Sequence, residues 1–398
     1  MVFRYSGVHG IVHLLVNSKH AGYKSGQNQS DKMFKTGLVC NSAIRLLLQQ
    51  MTFIPMFTSM KNCLLVGFLT FTFLFSCSLR KEPVVSKPLS LVDSLNMVSD
   101  SVCVEGITIH NLFKSQILAH RGLGKYDSLM ILNNVYLKHK QLWDNCYGMI
   151  FGSDNASKFN TSTGMIAWNK TLYPENKMLF EDKARELLAM NLDSILTVNL
   201  RKFNKMVSYK PKAVISILFT PIQGIGFGGC NAEQFALELN YENNDLDYTI
   251  NRGIPHELNH LAYEPNRMKD PNHETALAQT IDEGFACYFT WIFFDGNISP
   301  HEAVENMSEA DWQWYIVHEK EIFQQVKRYF KETGENPLLS NNKLKLFPDA
   351  PKTLFYWLGF RIIEAYVKNH GPNSWKDIYS LSSEEVFKRS GYGNQFGE

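Results

Sequence analysis

The sequence carries almost no excess charge of either sign: 40 Lys and Arg residues stand against 39 Asp and Glu residues in a chain of 398. Proteins that bind nucleic acids or other polyanions usually have a basic surplus, so the composition predicts no nucleic-acid partner. The chain is 44% hydrophobic and 13% aromatic. That content is enough to bury one large core or two smaller ones.

Cysteine is also scarce, with 7 residues and no spacing typical of a zinc ribbon. Cys103, Cys146, Cys230 and Cys287 lie in the part of the chain that we expect to fold. In an oxidising compartment these four residues could form two disulfides. For Cys287, a buried free thiol is the favoured interpretation.

A long hydrophobic run is missing as well. The apolar stretch that follows Met60 and Lys61 has only about a dozen residues, too few for a comfortable transmembrane helix. It ends in Leu-Phe-Ser before Cys77. This pattern is typical of a bacterial lipoprotein signal over residues 60–76, with cleavage before Cys77 and lipid attachment to that cysteine. Phe75 is bulkier than the usual residue at its place, and an uncleaved anchor or a buried hairpin is the alternative.

A signal that begins at Met60 leaves residues 1–59 without an obvious role. They are basic and poor in acidic residues, and we expect either a gene-start error or a disordered extension. Residues 77–100 begin with a polar stretch that contains two prolines, which predicts a tether. The predicted location is therefore the bacterial cell envelope. Lipidated Cys77 would hold the protein on a bilayer, at the periplasmic or outer face.

One motif in the sequence is rich in potential metal ligands: His256-Glu257-Leu258-Asn259-His260. Two histidines four residues apart on a helix lie on the same side, so their imidazoles can converge on one ion. Pro255 suits the first turn of such a helix, and Pro265 predicts its end soon after His260. Zinc held in this way keeps a position open for water, and Glu257 is placed to take a proton from that water.

A third ligand is expected from a second predicted helix that contains Glu283. Gly284 and Ala286, which follow it, are small enough to let the two helices pack closely. Asp282 could orient a ligand or could simply be solvated, and both interpretations stay open. The competing candidates for the third ligand are Glu264, His273 and Glu274.

With these residues the chain resembles the gluzincin metallopeptidases. More narrowly, it is similar to a bacterial family of predicted zinc-dependent proteases that pairs HExxH with a downstream Glu-Gly-x-Ala. The resemblance runs from about residue 200 to the C-terminus. It implies that His256, His260 and Glu283 bind Zn²⁺ and that Glu257 is the catalytic base. It also implies a peptide or protein substrate, whose identity it leaves open.

The periodicity predicts an α+β fold: a mostly helical metallopeptidase domain over residues 101–398, with a small sheet next to the HExxH helix. Within it, residues 101–205 are predicted to be helical and residues 206–295 to contain the zinc site. Residues 296–398 are predicted to form a C-terminal helical part.

Two strands are expected in the zinc-site part, over residues 213–220 and 234–241. The glycine-rich stretch 223–230 between them lacks the Gly-Lys-Ser/Thr ending of a P-loop, so a flexible loop is favoured over a phosphate site. From the resemblance and the order of the elements, the strand over 234–241 is expected to offer an open edge to an extended peptide.

The reaction also needs a donor that stabilises the oxyanion. The C-terminal part offers Tyr356, Arg361 and Tyr392, of which the first two lie on a predicted helix from Thr353 to about Asn369. Each of these side chains also has an ordinary structural interpretation, as packing or as a solvated group.

Two classes of function remain. The first is a membrane-tethered zinc peptidase that hydrolyses peptide bonds. The second is a non-catalytic envelope lipoprotein, a binding or assembly module that retains a metallopeptidase fold. The intact Glu257 favours the first, because a scaffold would be free to lose the base. Hydrolysis of a non-peptide amide in the cell wall would use the same chemistry as the first.

Overall fold

A five-stranded mixed sheet is the platform on which the helices of this protein pack. The prediction of a mostly helical α+β fold with a small sheet is confirmed. The predicted extension, the predicted signal and Cys77 lie outside the described part of the chain. The computed structural model describes residues 89–121, 125–231, 233–241 and 245–397.

The sheet combines parallel central strands with antiparallel edges. Its strands are β1 (Ser101–Val104), β2 (Ile107–Asn111), β3 (Ala213–Leu218), β4 (Phe227–Asn231) and β5 (Gln234–Glu238). They lie in the order β1-β2-β3-β5-β4. Strand β3 pairs parallel with β2 and β5, whereas β1 and β4 pair antiparallel with β2 and β5, respectively.

The two predicted strands are confirmed as β3 and β5, but the sheet contains three more. Strand β4 lies within the glycine-rich stretch that was expected to be a loop. Strands β1 and β2 form a hairpin in the region predicted to be helical. Its turn is made by Glu105 and Gly106, both with left-handed backbones at φ values of 51° and 101°.

The longer helices follow the predicted periodicity. Residues 128–150 instead form a series of short α, π and 3₁₀ segments. None of the helices in the described residues is long and apolar enough to cross a bilayer. The longer helices are α1 (Leu91–Met97), α2 (Leu112–Leu118), α3 (Ser153–Phe159), α4 (Ser162–Glu175), α5 (Lys177–Ala189), α6 (Leu192–Met206), α7 (Ile254–Arg267), α8 (Ala276–Phe293), α9 (Glu309–Val326), α10 (Leu354–His370) and α11 (Ser383–Ser390). Shorter helical turns are Leu246–Tyr248, Thr249–Gly253, Pro300–Ala303, Lys327–Tyr329, Asn341–Leu344, Ser374–Ser380 and Gly393–Phe396.

The folded part begins earlier in the chain than the predicted tether allows. Helix α1 lies within residues 77–100, and its Leu91 and Leu95 are buried in the main core. Lys114 on α2 donates to the carbonyl of Val98. Residues from 91 onward are therefore part of the fold rather than of a tether.

Hydrophobic cores lie on both faces of the sheet. Successive side chains of a strand point to opposite faces, and β3 shows this directly. Ile215 and Ile217 join the main core, which includes residues of α6, α7, α8 and α10. Leu218 joins a second core, built around Trp143 and Tyr147.

Helix α8 crosses α10 at two glycines. A Cβ atom added at Gly284 would lie 2.1 Å from the carbonyl carbon of Gly359, and one added at Gly359 would lie 1.9 Å from the carbonyl oxygen of Thr280. Only residues without a side chain fit there. Gly284 therefore allows close packing against α10, whereas the sequence suggested a contact with the HExxH helix.

Two disulfides among the four cysteines of the folded part are ruled out, because two of these residues are unpaired. Cys103 and Cys287 carry free thiols, the first exposed and the second buried, and Cys146 is disulfide-bonded. The prediction of a buried free thiol at Cys287 is confirmed.

Candidate metal centre

Three side-chain atoms converge at the junction of α7 and α8. The Nε2 atoms of His256 and His260 lie 3.1 Å apart. Glu283 Oε2 lies 3.2 Å from His256 Nε2 and 3.4 Å from His260 Nε2. These residues form the one His, Cys, Asp and Glu group with metal-binding geometry in the described part of the chain.

The three donors fit a zinc ion by chemistry and by spacing. Zinc binds His nitrogen and carboxylate oxygen at about 2.0–2.2 Å, which in a tetrahedron separates the donor atoms by about 3.3 Å. The separations of 3.1–3.4 Å match this value. With three protein donors, a tetrahedral site has one position left for water or substrate.

The local sequence explains why α7 presents its histidines in this way. Pro255 lies in the first turn, as predicted, where its missing N–H costs no hydrogen bond. Apolar residues Ile254, Leu258 and Leu261 form the buried face toward α6 and the sheet. The helix does not end at Pro265: it continues to Arg267, because a proline in the last turn removes only one helical hydrogen bond.

His260 is oriented by a partly buried chain of charges. Its Nδ1 lies 2.8 Å from Asp282 Oδ1, which leaves Nε2 to bind a metal. Asp282 in turn lies 3.2 Å from Arg267 Nε, and Arg267 also donates to Glu264 at 2.7 Å. Of the two interpretations of Asp282, the structure thus supports the orienting one.

These charges also set the protonation of the candidate ligands. Burial alone would lower the pKa of His260, but the Asp282 and Glu283 carboxylates outweigh it and hold that pKa well above its usual value. Burial would raise the pKa of Glu283, but the two histidines hold it far below its usual range. An ion that binds here must therefore displace protons.

His256 has a different partner, the thiol of Cys287. Cys287 Sγ lies 4.0 Å from His256 Nδ1, one helical turn beyond Glu283 on α8. Burial raises the pKa of Cys287 well above its usual value, so the thiol is neutral. A thiol is a weaker acceptor than a carboxylate, and the two imidazoles are therefore held unequally.

Glu257 lies beside the three donors and forms no hydrogen bond with the described residues. On one side it borders an apolar cavity, and burial raises the pKa of its carboxyl to about 7. On the other side, a Cβ atom added at Gly228 of β4 would lie 3.6 Å from Glu257 Oε1. The cavity is lined by Ile107, Leu196, Leu200, Ile215, Phe227, Phe235, Ile254, Leu258 and Leu261.

Strand β4, and not the predicted strand, borders the site at the open edge of the sheet. The predicted strand is β5, which is paired on both sides, by β3 and by β4. Among the described strands, β4 pairs only with β5. The free backbone groups beside Glu257 therefore belong to the glycine-rich strand.

The glycine-rich loop that precedes β4 does bind an anion, but the anion is a side chain of the protein. Glu238 Oε2 accepts backbone N–H groups from Gly224, Ile225 and Gly226 at 3.0, 3.3 and 3.1 Å. Its Oε1 accepts the Tyr147 hydroxyl at 3.0 Å. Glu238 is fully buried, so this contact fixes the loop and leaves no room for a phosphate.

The three candidate oxyanion donors lie in different surroundings. The ring of Tyr356 lies 6.3 Å from the ring of His256, and its hydroxyl forms no hydrogen bond with the described residues. Arg361 instead donates to Glu319 at 2.9 Å, and so does the Tyr392 hydroxyl. Of the three, only Tyr356 is brought to the site.

The competing ligands are engaged elsewhere. Glu264 pairs with Arg267. His273 Nδ1 lies 2.8 Å from the carbonyl oxygen of Asp270, and its Nε2 lies 3.8 Å from Glu274. None of the three is grouped with His256 and His260.

One acidic residue near the site had no signal in the sequence. Glu305 follows the short helix Pro300–Ala303 and has a left-handed backbone, with φ at 52°. After burial, the negative charge of Glu305 is the next cause that raises the pKa of the Cys287 thiol. Strained backbones of this kind often occur at functional sites, and the φ value of a residue in a tertiary turn cannot be inferred from the sequence around it.

Comparison with known proteins adds one similarity. Residues 222–388 match the model of a family described as a predicted Zn-dependent protease (DUF2268). The matched region begins in the loop before β4 and ends in α11, so it contains Glu257 and the three donors. No curated protein and no solved structure matches the chain.

Proposed function

We propose that this protein is a zinc-dependent peptidase of the gluzincin type, which hydrolyses bonds in a peptide or protein substrate. The observation that carries the proposal is the convergence of His256 Nε2, His260 Nε2 and Glu283 Oε2 beside the Glu257 carboxylate, which forms no hydrogen bond with the residues that the structure describes. The similarity to a family of predicted Zn-dependent proteases supports it.

The catalytic role of each residue follows from its position at the site. When bound, a zinc ion supplies Lewis acidity, which lowers the pKa of a water and polarises a carbonyl group. Glu257 accepts the proton of the attacking water and passes it to the leaving nitrogen. A pKa near 7 suits a group that must both accept and return a proton.

The substrate would bind as an extended strand along β4. Among the described strands, β4 is paired on one side only, so the backbone N–H and C=O groups of its other side can pair with an added strand. Gly228 has no side chain between the β4 backbone and Glu257. A peptide on this edge would therefore pass directly over the catalytic carboxylate. Tyr356, the one candidate donor near His256, would stabilise the oxyanion.

The Glu257→Gln variant tests the peptidase proposal. Removal of a general base lowers kcat by roughly 10²- to 10⁴-fold, whereas zinc content should not change because Glu257 is not among the grouped donors. Cleavage of an unstructured protein by zinc-loaded wild type and variant is the measurement. Glu309→Gln, an exposed carboxylate on α9, is the matched control. If neither wild type nor variant cleaves, the non-catalytic binding or assembly module is the better account.

We also propose that Cys77 carries a lipid and holds the protein on a bilayer of the bacterial envelope. Support comes only from the sequence, in the short basic start and apolar run before Cys77. Cys77→Ala should move the protein from the membrane fraction to the soluble fraction. A variant that stays with the membrane would contradict the lipid anchor.

A further inference from the structure

The imidazole of His256 meets side chains of α8 at both of its nitrogen atoms. Its Nε2 lies 3.2 Å from Glu283 Oε2, and its Nδ1 lies 4.0 Å from Cys287 Sγ. Residues four apart on a helix lie on the same side, one turn from each other. The turn of α8 between Glu283 and Cys287 therefore spans the ring, and each end of the turn faces one nitrogen.

The Cys287 thiol is the only hydrogen-bonding partner of His256 Nδ1 among the residues that the structure describes. Both residues are buried, Cys287 completely. When Nε2 of a neutral imidazole is a metal ligand, the ring proton is on Nδ1. A buried N–H group without an acceptor costs free energy, and the sulfur of Cys287 is the acceptor that this N–H faces.

The charges around Cys287 favour a neutral acceptor at its position. Glu283 lies one turn away on the same helix, and like charges at this spacing repel each other. A thiol buried in apolar surroundings stays uncharged, so Cys287 adds an acceptor without adding a second negative charge. The partner of His260 differs, because the Asp282 carboxylate lies 3.2 Å from Arg267 Nε, which balances its charge.

The packing of α8 fixes the position of Cys287. A Cβ atom added at Gly284 would lie 2.1 Å from the carbonyl carbon of Gly359, so α8 and α10 are in backbone contact just before Cys287. Cys287 itself is part of the main core. A helix packed this closely cannot rotate or slide without clashes, so a side chain on it can hold a neighbouring ring in one orientation.

We propose that Cys287 is a positioning residue of the metal centre: its sulfur accepts the Nδ1–H of His256 and fixes the ring with Nε2 directed at the metal. Helix α8 then supplies one ligand, Glu283, and orients both histidines, His260 through Asp282 and His256 through Cys287. The proposal rests on the zinc site of the proposed function but not on peptide cleavage.

The zinc affinity of Cys287 variants, measured by competition with a chelator, tests this role. Loss of a partner that orients a metal ligand typically lowers affinity by about 10- to 100-fold. Because a thiol is a weak acceptor, we expect a loss of about tenfold for Cys287→Ala. Cys287→Val, which fills the space but cannot accept a hydrogen bond, should show the same loss. Cys287→Asn, which restores an acceptor in a side chain of similar size, should retain at least the wild-type affinity.

A control variant and a spectroscopic measurement separate the hydrogen bond from packing. Thr290 is also buried on α8, and its hydroxyl donates to the carbonyl of Ala286 at 2.9 Å. Thr290→Ala should therefore leave the zinc affinity unchanged. In zinc-loaded protein with isotope-labelled histidine, NMR should show faster exchange of the His256 Nδ1–H proton with water in Cys287→Ala and Cys287→Val than in wild type.

The outcomes separate this inference from the proposed function. If Cys287→Ala and Cys287→Val bind zinc as tightly as wild type, or if Cys287→Asn binds it as weakly as they do, the role of Cys287 is overturned and the peptidase stands. If wild type binds zinc but cleaves no peptide, the peptidase is overturned, and the affinities still decide the role of Cys287. If wild type binds no zinc, both are overturned.

Discussion

The two histidines of the candidate centre look equivalent in the motif but are supported differently in the fold. His260 is backed by the Asp282 carboxylate at 2.8 Å, which itself pairs with Arg267. His256 is backed by the thiol of Cys287 at 4.0 Å. Because an orienting carboxylate fixes the ring and increases its basicity, His260 should be the more firmly held ligand.

Asp282→Asn should therefore weaken the metal site without removing a ligand. Loss of such an orienting carboxylate typically reduces metal affinity or activity by about 10- to 100-fold. Zinc affinity measured by competition with a chelator is the direct test. Asp154→Asn, an exposed aspartate at the start of α3, should leave the affinity unchanged. Equal affinities for Asp282→Asn and wild type would show that Asp282 does not orient His260.

At this scale the sequence predicts the residues whose chemistry depends on spacing along one helix. His256, Glu257 and His260 follow from the HExxH pattern, and Glu283 from its place on the next helix. Residues that approach the ligands from other segments show no regular spacing in the sequence. The only sequence signal for Cys287 is its position one helical turn beyond Glu283. Glu305 lies in a separate turn, and its strained φ value is visible only in the structure.

At the scale of elements, the site depends on β4 and the loop before it. The buried Glu238 holds three successive N–H groups of that loop and the Tyr147 hydroxyl. A loop that contains several glycines loses much conformational entropy on folding. Glu238 offsets part of this cost and fixes where β4 runs relative to Glu257.

Glu238→Gln should disturb the substrate edge while the metal ligands stay in place. An amide cannot accept all of these donors as a carboxylate does, and an unsatisfied buried donor costs about 1–3 kcal/mol. We expect a lower free energy of unfolding by roughly that amount and a higher KM with a smaller change in kcat. Urea unfolding, peptide kinetics and zinc content measure the three effects. A drop in zinc content equal to the drop in activity would contradict a role confined to the edge.

The content of branched residues predicts β3, the alternation of residues predicts β5, and helical periodicity predicts the long helices, including α10. The sequence does not predict strand β4, because Phe227-Gly228-Gly229 has the composition of a loop. It is a strand because β5 supplies its hydrogen bonds and Gly228 allows close approach to α7. The β1–β2 hairpin is short, and its turn at Glu105-Gly106 was a usable signal.

At the scale of the whole molecule, the site draws on more of the chain than the motif-bearing region. The family match covers residues 222–388, but β1, β2, β3 and α6 precede it. Leu196 and Leu200 of α6 line the apolar cavity beside Glu257, together with Ile215 of β3. Local periodicity does not encode contacts between distant segments, so it predicts residues 101–205 to be the helical part of the domain but not that Leu196 and Leu200 lie at the site.

The metal content of the purified protein tests the central claim most directly. After equilibration with zinc and removal of the excess, wild type should retain one zinc ion per chain, and anomalous scattering at the zinc edge should place it between the Nε2 atoms of His256 and His260 and the carboxylate of Glu283. His256→Ala and His260→Ala should each lose that ion while remaining folded. Absence of bound zinc from wild type, or its retention by both variants, would contradict the account.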